Sequence, residues 1–357
     1  MRRPDTTENT LDALHRVAPG PGRITLGLEL PLDNDWSPGG ERSRRVAGRL
    51  GGEPDMTSHA ERARLADRWG FSALWLRDVP VYSPNFGDAG QVFDPFPYLG
   101  YLAAATDRVV LGTAAIALPL RAPAHVAKMA ATVDRLSGGR LILGVASGDR
   151  PVEFPLFGVE HGDRARLLRE GVHTLRSLWA GHELAEGSGL RVLPTPDGSG
   201  IRTVLAGRGG QSMEWIAEHA DGHFTYHRPP DAMLPVASSW HGTVREVHGD
   251  PSAFRPLLTT MLVDLFDDPR APVVPIRFGA RLGRDALIAY LAGLRESGVN
   301  HVAINLRPSR RPVEEVIEEL GAHVLPEFPS PDSVASPSSR GRERAAREGE
   351  AEVGYAR

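Results

Sequence analysis

The sequence predicts a single (β/α)8 TIM barrel, and three observations carry that expectation. From Ile24 onward, eight apolar strand-like runs alternate with eight helix-like segments. The strand runs are almost continuously apolar, as a parallel sheet covered on both faces requires. Gly27-Leu28-Glu29 also lies inside the first strand, with no Gly-rich phosphate turn after it, which counts against an open doubly wound sheet. A run of βα units of this number closes most naturally into a barrel.

In chain order, Ile24 to Leu30 reads as strand 1, and the polar, Gly-rich stretch Asp35 to Asp55 as a loop. Thr57 or Ser58 is placed to cap a helix with Glu61 in its first turn, running to Trp69 and ended by Gly70. Ala73 to Val79 is strand 2. Phe93 to Thr106 is a helix with Pro95 and Pro97 near its start. Val109 to Leu118 reads as one long strand 3, and Ala124 to Leu136 as a helix stopped by Ser137-Gly138-Gly139. Leu141 to Ala146 is strand 4, followed by helix Arg164 to Trp179.

The second half repeats the rhythm. Thr203 to Ala206 and helix Ser212 to His219 form the fifth unit, and Gly222 to Thr225 and helix Ala232 to Val247 the sixth, with Pro235 weakening that helix's first turn. Leu257 to Phe266 is strand 7, followed by helix Asp285 to Glu296. His301 to Leu306 is strand 8, and Val313 to Leu325 the last helix.

The expected organisation is a flexible segment over 1–22, a barrel over 23–328 and a disordered tail over 329–357. Met1 to Gly22 shows no clear periodicity. The tail is rich in Pro, Ser, Gly and mixed charge, which cannot bury enough apolar area to offset chain entropy.

Bulk properties narrow the function classes. A net charge of −4 gives no electrostatic footprint for nucleic acid or anionic lipid. The absence of cysteine excludes disulfides and thiolate metal sites. No apolar run approaches the ~20 residues that span a bilayer, and Met1 to Gly22 has no apolar signal core. The expectation is a cytoplasmic protein with no nucleic-acid or membrane partner. Neither H-x-H nor H-E-x-x-H spacing occurs, so no metal site is expected, and no G-x-S-x-G elbow occurs.

Barrel chemistry sits at the carboxyl ends of the strands. After strand 4 comes Ser147-Gly148-Asp149-Arg150, either an anion-competent turn or an internal Asp–Arg loop network. After strand 5 comes Gly207-Arg208-Gly209-Gly210-Gln211-Ser212, either an anion cradle of free backbone N–H groups or a plain turn with Ser212 as helix cap. Asp78 ends strand 2 as a base, an acceptor for a ring N–H or a cap for the following turn. Among the histidines, His227 stands at the correct end of the barrel, whereas His301 begins its strand at the opposite end.

These residues resemble a known family. The run Leu111-Gly112-Thr113-Ala114, Arg121-Ala122-Pro123, Ala131 through Arg140 (ATVDRLSGGR) and Leu143-Gly144-Val145 is similar to the luciferase-like flavin monooxygenase signature, as are Ala66 to Trp75 and Asp221-Gly222. The resemblance spans Ile24 to Phe328. It implies a luciferase-like barrel that binds FMN, or alternatively the deazaflavin F420. By position, a strand-3 bulge at Thr113, Ala114 and Ala115 would back the cofactor ring. Ser147, Gly148, Arg150, Gly207, Gly209, Gln211 and Ser212 would take the phosphate, and Asp78 and His227 would be the catalytic candidates.

The expected function is a monooxygenase using reduced FMN and O2 on a small organic substrate, with a separate flavin reductase as a partner and a homodimer as the assembly. F420-dependent hydride transfer, a non-catalytic flavin-binding protein and an unrelated barrel hydrolase or lyase are the alternatives. Two departures stand out: Ser147-Gly148-Asp149-Arg150 replaces the family's usual Gly-x-Gly-Trp-like turn, and the lid insertion Asp268 to Gly283 is short.

Overall fold

The computed structural model describes 12–83, 93–196 and 200–331 of the chain. Among the described residues, eight parallel strands close into a barrel: β1 Thr25–Glu29, β2 Ala73–Leu76, β3 Val110–Thr113, β4 Leu141–Ala146, β5 Arg202–Ala206, β6 Gly222–Thr225, β7 Leu257–Leu265 and β8 His301–Asn305. Each strand pairs with the next in sequence, and β8 pairs with both β7 and β1 to complete the ring.

Side-chain alternation along each strand sorts the core in two. Ala73, Trp75, Val110, Ile142, Val204, Phe224, Leu258 and Ala303 fill the lumen. Leu74, Leu76, Leu111, Leu141, Leu143, Leu205 and Met261 face the helices. Glycine makes the lumen packable at one decisive place. A Cβ on Gly112 would stand 2.4 Å from the Trp75 ring, so only glycine lets that indole cross the lumen.

The helices around the barrel are α1 Ala13–Val17, α2 Pro38–Val46, α3 His59–Trp69, α4 Pro95–Ala105, α5 Pro123–Ser137, α6 Arg164–Trp179, α7 Met213–His219, α8 Pro230–His248, α9 Arg284–Glu296 and α10 Val313–Glu319. Two of them lie where the sequence shows no helical period. Helix α1 closes the amino-terminal end of the barrel: Asp12 caps it, accepting from Leu14 N and His15 N, and Ala13, Leu14 and Val17 join the lumen cluster. Helix α2 falls in the stretch read as a loop. Ser37 accepts from Gly40 N at 3.0 Å and Pro38 occupies the first helical turn. Its only buried residue is Gly40, so there was no apolar stripe to betray it.

Three other elements differ from expectation. Strand 3 is not continuous: it stops at Thr113 and resumes at Ile116–Ala117. The last helix passes at Leu320 into a wider π turn, where Gly321 lies flat on the Trp69 ring. The insertion after β7 is a hairpin, Val274–Ile276 with Gly279–Leu282. Its second strand adds in parallel to the outer half of β7. The tail expected from 329 falls almost entirely outside the described residues, as do residues 1–11 of the expected flexible segment.

Candidate active site at the carboxyl rim of the barrel

The bulge in strand 3 is built by a side chain taking over a backbone ladder. Thr113 Oγ1 donates to Gly144 O at 2.7 Å and accepts from Gly144 N at 2.9 Å. That frees the next residues to leave the sheet, and Ala114–Ala115 is a cis peptide. A Cβ at Gly144 would sit 1.8 Å from Thr113 O, so glycine opposite the bulge is obligatory. Ala114 and, two strands on, Ala206 pack over the lumen cluster. Two methyl-sized side chains there leave a flat apolar shelf at the mouth.

Asp78 holds the far side of this bulge. Its carboxylate accepts from Ala117 N at 3.1 Å and from Arg121 through Nε at 2.9 Å and Nη2 at 2.7 Å. Arg121 also reaches Asp94, which caps α4. Asp78 follows the same parity as Leu74 and Leu76, away from the lumen. Both oxygens of Asp78, expected as a catalytic residue, are engaged by the N–H donors of Ala117 and Arg121, contacts that hold the bulge.

Phe224 points into the lumen, and Tyr226 and His227 follow the end of β6. His227, the other expected catalytic residue, also lies against protein partners. Its Nε2 meets Tyr290 Oη of α9 at 2.9 Å, the two rings stack at 5.8 Å, and Nδ1 is buried without a partner. Burial drives its pKa down to about 4, so it is neutral at pH 7 and shut off from the mouth.

The two rim turns do meet. A Cβ on Gly209 would lie 3.6 Å from Ser147 Cβ and 3.7 Å from its Oγ. Gly148, Gly207, Gly209 and Gly210 all take positive φ, from 58° to 79°, which only glycine adopts cheaply and which turns successive N–H groups to one side. The side chains in these turns serve the fold. Gln211 Nε2 donates to Ala165 O and Gly209 O, tying the turn to α6. Ser212 caps α7 by accepting from Trp215 N. Arg150, read as an anion ligand, is buried and paired with Glu153 at 3.4 Å. Burial pushes the Glu153 carboxyl up, and Arg150 opposes it. The Arg150 guanidinium is held by that carboxylate, and the exposed cation of the turns is Arg208.

Inside the mouth, Glu29 receives the Thr260 hydroxyl and faces Arg77 Nε at 3.6 Å. Above it, Asp33 and Arg307 form a buried pair at 2.8 Å that joins the loops after β1 and β8. Arg77 stands after strand 2 in the sequence, at the carboxyl rim, whereas Thr260 was hidden inside the apolar run of strand 7, whose register the sequence does not give.

The run 131–140 ends in a residue with a structural part. All five guanidinium N–H donors of Arg140 are used, on the carbonyls of Ala103, Thr106, Val109 and Ser137 and on Thr106 Oγ1. It thereby closes the carboxyl end of α4.

Residues 39–265 match the family described as luciferase-like monooxygenase. The chain belongs to the luciferase-like monooxygenase family. Members of this family are oxidoreductases, and so is this enzyme. It is similar to the pyrimidine monooxygenase RutA of Cronobacter sakazakii, with 30% identity over 202 residues, 52% of this chain and 58% of that relative. The chain thus spans little more than half of RutA. Its fold is that of an F420-dependent secondary alcohol dehydrogenase solved with an F420–acetone adduct (TM-score 0.67, 17% identity, 86% of this chain and 100% of that one). It is also that of the oxygenating constituent of 3,6-diketocamphane monooxygenase of Pseudomonas putida solved with FMN (TM-score 0.62, 14% identity, 87% and 99%). Among the described residues of this luciferase-like chain, no helix is long and apolar enough to cross a membrane.

Proposed function

We propose that this enzyme is a flavin-dependent monooxygenase that uses reduced FMN and O2 on a small organic substrate. The observation that carries the reading is the meeting of the Ser147 and Gly209 turns beside the alanine shelf. A flavin needs a flat apolar support for its ring and a donor-rich, side-chain-free cradle for its phosphate, and the residues present fit both. Ala114, Ala115 and Ala206 would support the ring. Backbone N–H groups over 147–148 and 208–210 would hold the phosphate, the Gly207 N–H being donated to Phe224 O.

Reduced FMN supplies the electrons with which O2 is activated. The protein's part is position and dryness: Trp75 and Phe224 seal the lumen beneath the shelf, and Asp78 and Arg121 keep the bulge in place. A separate flavin reductase is the source of reduced cofactor in this reading, and a homodimer is the assembly. The second reading, hydride transfer with F420, is favoured by the likeness to the F420-dependent dehydrogenase and would use the same cradle.

Fluorescence titration with FMN, reduced FMN and F420 tests both. Saturable binding of one of them tighter than about 1 mM is expected, weakened in Gly209→Ala, whose Cβ would crowd Leu168 at 2.5 Å in a backbone with φ 58°. If none of the three binds, the reading falls.

A further inference from the structure

We infer that Tyr226, backed by Phe278, is a stacking platform that selects planar, unsaturated substrates at the barrel mouth; this deepens the functional reading above and rests on it. Tyr226 directly follows β6 at the carboxyl rim, two residues beyond the lumen residue Phe224. Tyr226 is 58% exposed. Phe278 stacks on it with centroids 5.5 Å apart and planes 24° from parallel.

The second ring is held there at a conformational cost. Phe278 has φ 58°, the one positive-φ non-glycine residue among those described, in a region that bulky side chains avoid. Three features over-determine it. Leu262 N donates to Phe278 O at 3.0 Å. The following Gly279 presses against β7 so closely that a Cβ would meet Leu262 O at 1.8 Å. The Arg277 guanidinium lies 4.9 Å from the Phe278 ring centre. An aromatic forced into such a backbone at a site mouth points to a use for the ring.

Stacking on a ring already fixed in place loses little side-chain entropy. The remaining face of Tyr226 therefore favours a flat partner over a puckered one of equal size. The platform lies just beyond β6 and in the hairpin beside β7, apart from the proposed cofactor shelf on β3 and β5, and we assign it to the substrate side of the mouth.

Benzamide and cyclohexanecarboxamide are matched probes, sharing the amide and differing in planarity. Saturation-transfer NMR on the chain should show benzamide binding to wild type and Tyr226→Phe, a loss of threefold or more in Tyr226→Leu, and cyclohexanecarboxamide at least threefold weaker throughout. Phe278→Gly, which suits the positive φ, should weaken benzamide while leaving the melting temperature unchanged. Equal binding of the two probes, or an unchanged Tyr226→Leu, would overturn the platform. A parallel FMN titration should give the same affinity in Tyr226→Leu as in wild type. If FMN affinity falls with that of benzamide, the ring serves the cofactor and the assignment is wrong. If FMN and F420 fail on wild type while benzamide still discriminates, the functional reading fails and the platform stands as a property of the chain.

Discussion

Trp75 donates its indole N–H to Nε2 of His301 across 2.8 Å at the floor of the lumen. That bond fixes the imidazole tautomer. Nε2 accepts, so Nδ1 carries the proton and donates to Thr25 Oγ1 at 2.8 Å. Thr25 in turn donates to Val17 O. One chain of polar contacts therefore ties β2, β8, β1 and the plug helix α1 through the inside of the barrel. Trp75→Phe keeps most of the volume but leaves Nε2 buried and unpaired, which costs about 1–3 kcal/mol. Denaturant titration at pH 7 should show that loss, and a stability equal to wild type would refute the network.

The same histidine makes stability depend on pH, together with two others. Burial holds His301 at about 3 and His223 and His227 at about 4, below the ordinary value of 6.5. The folded pKa values are depressed, so between about pH 6.5 and 4 the unfolded chain binds more protons than the native one. Stability is fully present above pH 6.5 and falls as the solution is acidified, by up to about 1.4 kcal/mol per pH unit for each ring. His227→Phe removes one of the three while keeping the stack on Tyr290. Its unfolding free energy should depend less steeply on pH between 6.5 and 4, and flavin binding at pH 7 should be untouched. A loss of flavin binding would restore His227 to the site.

The barrel itself was legible because eight apolar runs with helices between them leave few alternatives. What sequence could not show was parity. Asp78 and His227 stand at the right end of their strands, yet each faces the helices, and a one-residue register decides that. Sequence also did not show that a buried carboxylate, Glu153, pairs with Arg150. Helix α2 lacked an apolar stripe, and α1 is too short to show a period. The bulge at Thr113–Ala115 came from resemblance. Its physical cause, Thr113 Oγ1 bridging both backbone groups of Gly144, needs coordinates.

Glycine positions give a sharp contrast. Gly144→Ala would drive a methyl group into the backbone carbonyl of Thr113, and neither strand can retreat from a packed lumen. A loss of about 3 kcal/mol or more, or failure to fold, is expected. Gly100→Ala, inside α4 with nothing within 4 Å, should gain about 0.5–1 kcal/mol. Thermal melts of the two variants side by side check the comparison, and a tolerated Gly144→Ala would show that the bulge is not what excludes a side chain there.

Asp78 and Arg121 act as a unit, and the two readings of Asp78 separate experimentally. The Asp78 side chain is 1% exposed and that of Arg121 18%, so removing one partner leaves the other charge uncompensated, at a cost of about 3–5 kcal/mol. Asp78→Asn and Arg121→Met should each destabilise strongly. The double variant should lose clearly less than the sum, a coupling of about 1–3 kcal/mol in a double-mutant cycle. Because the carboxylate also holds Ala117 N, Asp78→Asn should loosen the bulge and weaken flavin binding without moving any pKa in a pH–rate profile. A proton-transfer role predicts the reverse: intact cofactor affinity, a rate that collapses, and the disappearance of one limb of the profile. Both oxygens of Asp78 are already committed to three N–H donors, so the first outcome is expected.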